Sequence, residues 1–282
     1  MFKPVSCENL SKTNHEKLKI NGIRYYQDII NSKASWTREI YEEIEKQRPE
    51  FIIKSALDLW QEETSREAIC EIPGAPGAGL RAGEVLEICG GPGQGKTQLC
   101  LQQCVGISQA GNEAIFIDTE ANFNSDRVRE MALVSGVQEP DEVLKRIHFL
   151  QVVGVDQLCA AINLLKGFLQ QHPKVRLIVI DCIAAPFKDN STTELERTAL
   201  LYRSVAELRR LGLRQTLGVL VTNEVSLRVG LGVVAALGDS WAHLPNRRVL
   251  LQPPLIAVTH GDPELIVTSV QVGSMIIVRM YL

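Results

Sequence analysis

From residue 85 onward the chain alternates short, nearly continuous apolar runs with longer segments whose apolar residues recur at helical spacing. Val85–Cys89, Ala114–Asp118, Val175–Asp181 and Gly218–Thr222 are runs of strand length, and unbroken apolar character predicts strands buried on both faces. A fifth, His148–Val153, follows a helical segment around Arg127–Ser135. Between the strands, helices are predicted over Gln98–Ser108, where Leu99, Gln102, Gln103 and Ile107 share faces, and over Val155–Gln171 and Glu194–Gly212. This alternation implies a mostly parallel sheet covered by helices. Arg247 to Leu282 is rich in Val, Ile and Leu, with Pro253-Pro254, His260-Gly261-Asp262-Pro263 and Gly273 between runs. It reads as consecutive hairpins that extend the sheet antiparallel.

The pattern ahead of this region is different. Up to about Lys54 the chain is polar, with Leu18, Ile20, Ile23, Tyr26, Ile29 and Ile30 placed to line short helices broken at Asn21-Gly22. Another helix begins at Trp36 and runs through a charged stretch to Arg48-Pro49-Glu50. Residues 55 to 70 read as one more helix, ending near Ser65-Arg66, and Ile72 to Gly79 is a dense turn segment. The expected organisation is therefore a helical domain over 1–54, a linker and lead-in helix over 55–79, and an α/β core over 80–282. The helical module carries a mild basic bias up to Lys33, which suits contact with a nucleic-acid backbone; a partner-docking or solvated cap fits equally.

Charge and cysteines narrow the picture. The net charge is −3 and the pI about 6.0, so no global basic field draws nucleic acid, and such contact must come from local patches. The seven cysteines form no C-x-x-C pair, and Cys89 and Cys182 lie in or beside apolar strands. That usage fits free, buried thiols in a reducing compartment, not a disulfide framework or zinc site. Cys100 and Cys104 share a helix face without a nearby histidine. No leader and no membrane-length apolar run is read, so cytosol or nucleus is expected, although no Lys/Arg cluster marks import.

The candidate chemistry sits at the strand ends. Gly90-Gly91-Pro92-Gly93-Gln94-Gly95-Lys96-Thr97 matches G-x-x-x-x-G-K-[ST] at every fixed position, between a predicted strand and a predicted helix. Glycines let successive backbone N–H groups face phosphate oxygens, Lys96 supplies a point charge for the β- and γ-phosphates, and the Thr97 hydroxyl is an Mg²⁺ ligand. The helix N-terminus adds partial positive charge beneath. Asp181 ends an apolar strand where phosphate-loop NTPases hold Mg²⁺. Ile117-Asp118-Thr119-Glu120 ends the intervening strand; Glu120 is placed to take a proton from, or orient, an attacking water, or is an exposed strand-end carboxylate. Thr222-Asn223-Glu224 ends the next strand, where polar side chains can sense the γ-phosphate, yet the Glu224 carboxylate repels that phosphate unless a cation or base compensates. Arg127 either stacks on adenine or forms a surface ion pair.

Together these pieces resemble the RecA-type recombinase ATPases. The matching strings are Glu87-Ile88-Cys89-Gly90 running into Gly95-Lys96-Thr97-Gln98-Leu99-Cys100, then Phe116 to Phe123, Val175 to Phe187, Leu220 to Glu224 and Ala236 to His243. The G-K-T-Q-L-C and I-D-T-E spellings and the L-G-D-S-W-A-H string are similar to the eukaryotic DNA-repair recombinase paralogues, with the C member nearest in spelling and the B member next. The resemblance implies a RecA-like P-loop NTPase core, with a mostly parallel sheet plus C-terminal antiparallel strands behind a small N-terminal helical domain. It implies ATP and Mg²⁺ as cofactors, held by Gly90 to Gln98 with Arg127, Asp181, Asn223 and Glu224, and Thr97 and Asp181 on the metal. Glu120 and Lys96 are the implied catalytic residues, and Arg127 falls where the family places an adenine-stacking arginine. The implied partners are other recombinase paralogues, in a hetero-oligomer with ATP at subunit interfaces, and single-stranded DNA.

The departures are informative. Family members usually carry Gln where this chain has Glu224. The segments that would face DNA, Phe187–Glu194 and Val225–Ser240, offer Lys188 and Arg228 and no aromatic before Trp241, which reads as packing at a strand start. Single-strand binding normally combines a basic groove with stacking rings, so weak DNA binding is expected of this chain alone. Arg209-Arg210 and Arg247-Arg248 read as solvated edges, and no arginine-rich lid of a kinase is visible. Two functions remain open: a slow, DNA-dependent ATPase, and a non-catalytic assembly subunit that uses ATP as interface glue.

Overall fold

The computed structural model describes residues 10–32, 34–47, 53–66, 68–73, 79–188, 193–228, 232–252, 266–272 and 275–281. The chain divides into two compact units, Met1–Thr64 and Ser65–Leu282. In the first, α1 (Lys12–Ile20), α2 (Tyr26–Asn31) and α3 (Ser35–Gln47) bury Leu18, Ile29, Ile40 and Ile44 in one cluster, with Ile23, Trp36 and Tyr41 against it. Ile40 and Ile44 lie one turn apart on α3, which is why its apolar face is narrow. Asn21 and Gly22 end α1 as the turn chemistry predicts, whereas Ile20 and Ile30 are exposed instead of lining the cluster. The helix expected within 55–70 ends at Ser65, where the sequence places its end, and a short strand that was not expected follows. α4 (Ala56–Ser65) buries none of its residues, and Ala68–Cys70 is a strand, β1, paired antiparallel with β2 (Leu80–Arg81). Ile69 and Cys70 pack against the core of the second unit, and that burial overrides helix propensity. The turn residues 74–78 lie outside the described residues.

The second unit continues as β3 (Val85–Gly90), α5 (Lys96–Gln109), β4 (Glu113–Asp118), α6 (Ser125–Val134), α7 (Pro140–Lys145), β5 (Ile147–Gln151), α8 (Gly154–Gln171) and β6 (Val175–Asp181). Then come α9 (Glu194–Gln215), β7 (Gly218–Asn223), β8 (Val225–Arg228), β9 (Gly232–Ala235), α10 (Gly238–Ala242), β10 (Arg247–Gln252), β11 (Ile266–Val272) and β12 (Met275–Tyr281). The main sheet has the order β11-β12-β10-β3-β7-β6-β4-β5, with the five central and edge strands β3, β7, β6, β4 and β5 all parallel. Period-two alternation sends Leu86, Ile88, Phe116, Leu177 and Val179 to the face covered by α5 and α6. It sends Val85, Ile115, Ile117, Ile178 and Ile180 to the face covered by α8 and α9. The result is the α/β fold with mostly parallel sheet, C-terminal antiparallel strands and N-terminal helices that the pattern predicts.

The C-terminal region differs in detail from consecutive hairpins. β10 pairs parallel with β3, β12 pairs parallel with β10, and only β11 and β12 form an antiparallel pair. Val249, Leu250 and Leu251 are all buried, so β10 has two covered faces, as parallel strands do. The segment read as a second DNA-facing loop contains an antiparallel pair, β8 with β9.

One close approach in this unit gives a test. A Cβ on Gly212 would stand 2.8 Å from Gly83 Cα and 2.9 Å from Leu217 O. Helix propensity alone favours Gly→Ala by about 1 kcal/mol, but both obstructing atoms are backbone and cannot rotate away. Gly212→Ala is expected to lower stability by about 1–3 kcal/mol through overpacking, read from urea denaturation midpoints.

Candidate functional site

Because the strands are parallel, their carboxyl ends meet along one rim. Register pairs Asp118 with Asp181 and Cys89 with Asn223, so Gly90, Asn223, Asp181 and Asp118 line up across four neighbouring strands. The phosphate-loop sequence leaves β3 at Gly90 and enters α5 at Lys96. Gly93 and Gly95 take φ of +74° and +82°, conformations that a side chain disfavours, and they turn the loop tightly over the helix N-terminus. Gln94 Oε1 accepts from Gly91 N at 2.7 Å and holds the loop's start. The Lys96 ammonium lies across the loop, donating to Gly90 O and Gly91 O at 2.9 Å each.

Beneath it, Thr97 Oγ1 donates to Asp181 Oδ2 at 2.7 Å, and Thr222 Oγ1 donates to Asp181 Oδ1. Burial pushes the Asp181 carboxyl above its ordinary value against these two hydrogen bonds; the neighbouring Asp118 adds to the rise and Lys96 opposes it. Two buried carboxylates and two hydroxyls, all hard oxygen donors, make a site whose electrostatic cost a small divalent cation offsets. The residues present therefore fit Mg²⁺, with Thr97 and Asp181 as its holders. Asp118 accepts from Glu120 N at 3.0 Å and Phe123 N at 2.9 Å, which folds the chain after β4 and sets where Glu120 emerges. Cys182, next to Asp181, has its thiol pushed up to about 11 by burial, which disfavours the thiolate.

At the mouth of the crevice Lys188 joins two acids. Its Nζ lies 2.9 Å from Glu224 Oε1 and 3.5 Å from Glu120 Oε1. The hydrogen bond to Glu224 raises the Lys188 ammonium above its ordinary value. This is the compensating base that Glu224 calls for, and it arrives from a different strand end. A groove of about 430 Å³ opens beside this trio, lined among others by Glu194, Arg197 and Asp239. Its charged lining is Lys188 and Arg197 against Glu194, Glu224 and Asp239, so it is not a basic channel. Arg228 ends β8, and its side chain lies outside the described part.

Two further candidates have their side chains engaged by other partners. The buried Asn223 side chain donates to Glu87 Oε1 at 2.7 Å and to Ala236 O at 3.1 Å. Glu87 is wholly buried, and it also accepts from Trp241 Nε1 at 2.7 Å and, on Oε2, from Arg248 Nε. Trp241 is packed in α10, not at a strand start. Arg247 and Arg248 are not solvated edges: Arg247 pairs with Glu84 and Arg248 with Glu87, because their strand is interior to the sheet. A charge inside the apolar run Val85–Cys89 was the signal for such a partner. Arg127 donates to Gln98 Oε1 at 2.8 Å and to Glu130 Oε2 at 2.9 Å on the exposed surface, one helix away from the loop. Gln98 and Arg127 thus come together, beside α5's first turn.

Comparison with known proteins identifies the family. The Rad51 family model matches residues 71–242, more than half of the chain, from just after β1 through α10. The chain belongs to the Rad51 family. Among curated relatives of this Rad51-family chain, the DNA repair protein RAD51 homolog 3 of Cricetulus griseus is 31% identical over 70% of the chain and 63% of the relative. The DNA repair and recombination protein RadA of Metallosphaera sedula is 30% identical over 71% of the chain and 66% of the relative. The DNA repair protein RAD51 homolog 3 of Dictyostelium discoideum is 31% identical over 60% and 51%. The chain spans between about half and two thirds of the length of these relatives. Among the described residues of this Rad51-family chain, no helix is long and apolar enough to cross a membrane.

Proposed function

We propose that the chain binds ATP with Mg²⁺ at Gly90–Gln98 and Asp181, hydrolyses it slowly, and acts in homologous recombination as a recombinase paralogue. The observation that carries this reading is the meeting of Thr97 Oγ1 with Asp181 Oδ2 at 2.7 Å beneath the Lys96 ammonium. In the bound state Mg²⁺ would offset charge on the phosphoryl oxygens. Lys96 exchanges its two carbonyl acceptors for β- and γ-phosphate oxygens, and the loop N–H groups orient them. Glu120 takes the proton of the attacking water or aims it. Lys188 keeps Glu224 from repelling the γ-phosphate by sharing its charge with both acids. Arg127 and Gln98 offer a planar, polar rim for adenine.

Its place is a hetero-oligomer with other recombinase paralogues, with ATP at the subunit interface, on single-stranded DNA in the nucleus and also the cytoplasm. The C member of the paralogues is nearest in spelling, and two of the relatives above carry the name RAD51 homolog 3. The mixed charge of the groove supports weak DNA binding by the chain alone. Removing a lysine that contacts single-stranded phosphate lowers the slope of log affinity against log salt by about 0.7. Lys188→Ala is expected to leave that slope unchanged, because Glu120 and Glu224 already engage it, and to shift stability by less than about 1 kcal/mol.

The experiment is steady-state phosphate release with Mg²⁺, with and without single-stranded DNA, for the parent chain, Lys96→Ala and Glu120→Gln. Turnover that rises with DNA and disappears in both variants supports the reading. ATP binding without any turnover would replace it with the glue role.

A further inference from the structure

We propose that Glu113, His148 and His172 form a binding site for a divalent transition-metal ion of the zinc class, at the end of the sheet opposite the nucleotide crevice. The three come from separate elements: the first residue of β4, the second of β5, and the residue that follows α8. Their ligand atoms all lie within 4.8 Å of one another. Both rings converge on one oxygen, with His148 Nε2 at 2.7 Å and His172 Nδ1 at 2.9 Å from Glu113 Oε2. Burial raises the Glu113 carboxyl, and the hydrogen bonds from the two histidines outweigh it and hold the group below its ordinary value. The two rings and the carboxylate thus point their donor atoms at one place.

The surroundings orient the donors. Phe168 stacks on His172 at 4.1 Å with an interplanar angle of 11°, and it meets His148 edge-on at 5.0 Å. The two imidazoles are 4.6 Å apart and nearly perpendicular. This apolar wall limits ring rotation, while side-chain exposures of 20–32% leave one side open for an ion and its water. Two imidazole nitrogens and one carboxylate oxygen are the donors zinc takes, and magnesium and calcium prefer all-oxygen sets. Donors about 2.0–2.1 Å from a tetrahedral ion stand roughly 3.3 Å apart, so both nitrogen–oxygen separations would open by about half an ångström to admit the ion.

The ion would act on the scaffold rather than on the nucleotide. Among the described residues β5 is the edge strand, hydrogen-bonded only to β4. The site ties β5 and the end of α8 to β4. Five residues along β4 separate Glu113 from Asp118, about 17 Å at strand rise, which is beyond direct contact with the crevice. None of the three residues stands out in sequence, since they are scattered over three elements that only the topology joins.

The test uses the full chain, stripped with a chelator and then titrated with zinc chloride against a chromophoric competitor. One zinc per chain is expected, with affinity falling at least about tenfold in each of His148→Gln, His172→Gln and Glu113→Gln. Zinc should raise the thermal midpoint of the parent chain and not of the variants, while ATP binding stays the same in all four. Cobalt substitution should give the visible absorption of a tetrahedral site in the parent alone. Zinc binding that persists in all three variants would place the ion on thiols elsewhere and overturn the proposal. So would no binding by the parent, which would leave the trio a hydrogen-bonded cluster.

Discussion

Glu87→Ala is expected to cost about 3–5 kcal/mol of stability, among the largest effects open to a single substitution in this chain. Glu87 is wholly buried at the centre of the sheet and accepts from Asn223, Trp241 and Arg248. Truncation leaves the Arg248 guanidinium without its counter-charge and two buried N–H donors without an acceptor. Each orphaned donor costs about 1–3 kcal/mol, and the three losses are not additive because they share one group. Glu87→Gln keeps an acceptor for Trp241 and Asn223 and is expected to fall between parent and alanine. Adding Arg248→Met to Glu87→Ala should restore part of the loss, since removing both charges is milder than removing one. Urea denaturation followed by tryptophan fluorescence checks the series, as Trp241 touches the site directly. A shift below about 1 kcal/mol for Glu87→Ala would show that water reaches Arg248 and that the network is not closed.

Glu120→Gln is expected to lower ATP turnover by about 10²–10⁴-fold, the usual contribution of a positioned general base. The substitution keeps the size of the side chain and its place after the turn that Asp118 organises. Nucleotide affinity should stay within a few-fold of the parent, because the loop, Lys96 and the Thr97–Asp181 pair are untouched. That split separates Glu120 from a residue that merely shapes the pocket, which would move affinity and turnover together. Turnover unchanged in Glu120→Gln would assign Glu120 to the surface ion pair with Lys188 alone.

Much of this fold was legible in the sequence, and the reason is physical. Strands buried on both faces must be written as apolar runs, so β3, β4, β6 and β7 fall within a residue of their expected bounds. The phosphate loop is legible because its spelling follows its geometry: glycine takes the positive-φ turns at 93 and 95 without the strain a side chain would bring. What was not legible depends on partners distant in sequence. The short strand β1 after α4 was not read, because Ile69 and Cys70 find their core only through the fold. β10 was read as a hairpin strand, yet its neighbours are β3 and β12, and no local signal names them. Asn223 was assigned to the crevice from its position at a strand end, but the carboxylate it serves is 136 residues earlier. Lys188 was read for nucleic acid because a lone base in a loop invites that reading; its acidic partners lie on two other strand ends.

The measurement that bears most directly on the account is equilibrium binding of ATP in the presence of Mg²⁺ to the parent chain and to Lys96→Ala. A charged hydrogen-bond donor removed from a phosphate site costs about 1.5–3 kcal/mol. The account therefore predicts saturable binding by the parent, weakened about 10- to 150-fold in Lys96→Ala and weakened again when Mg²⁺ is chelated. Equal affinity in the two proteins, or no dependence on Mg²⁺, would contradict it.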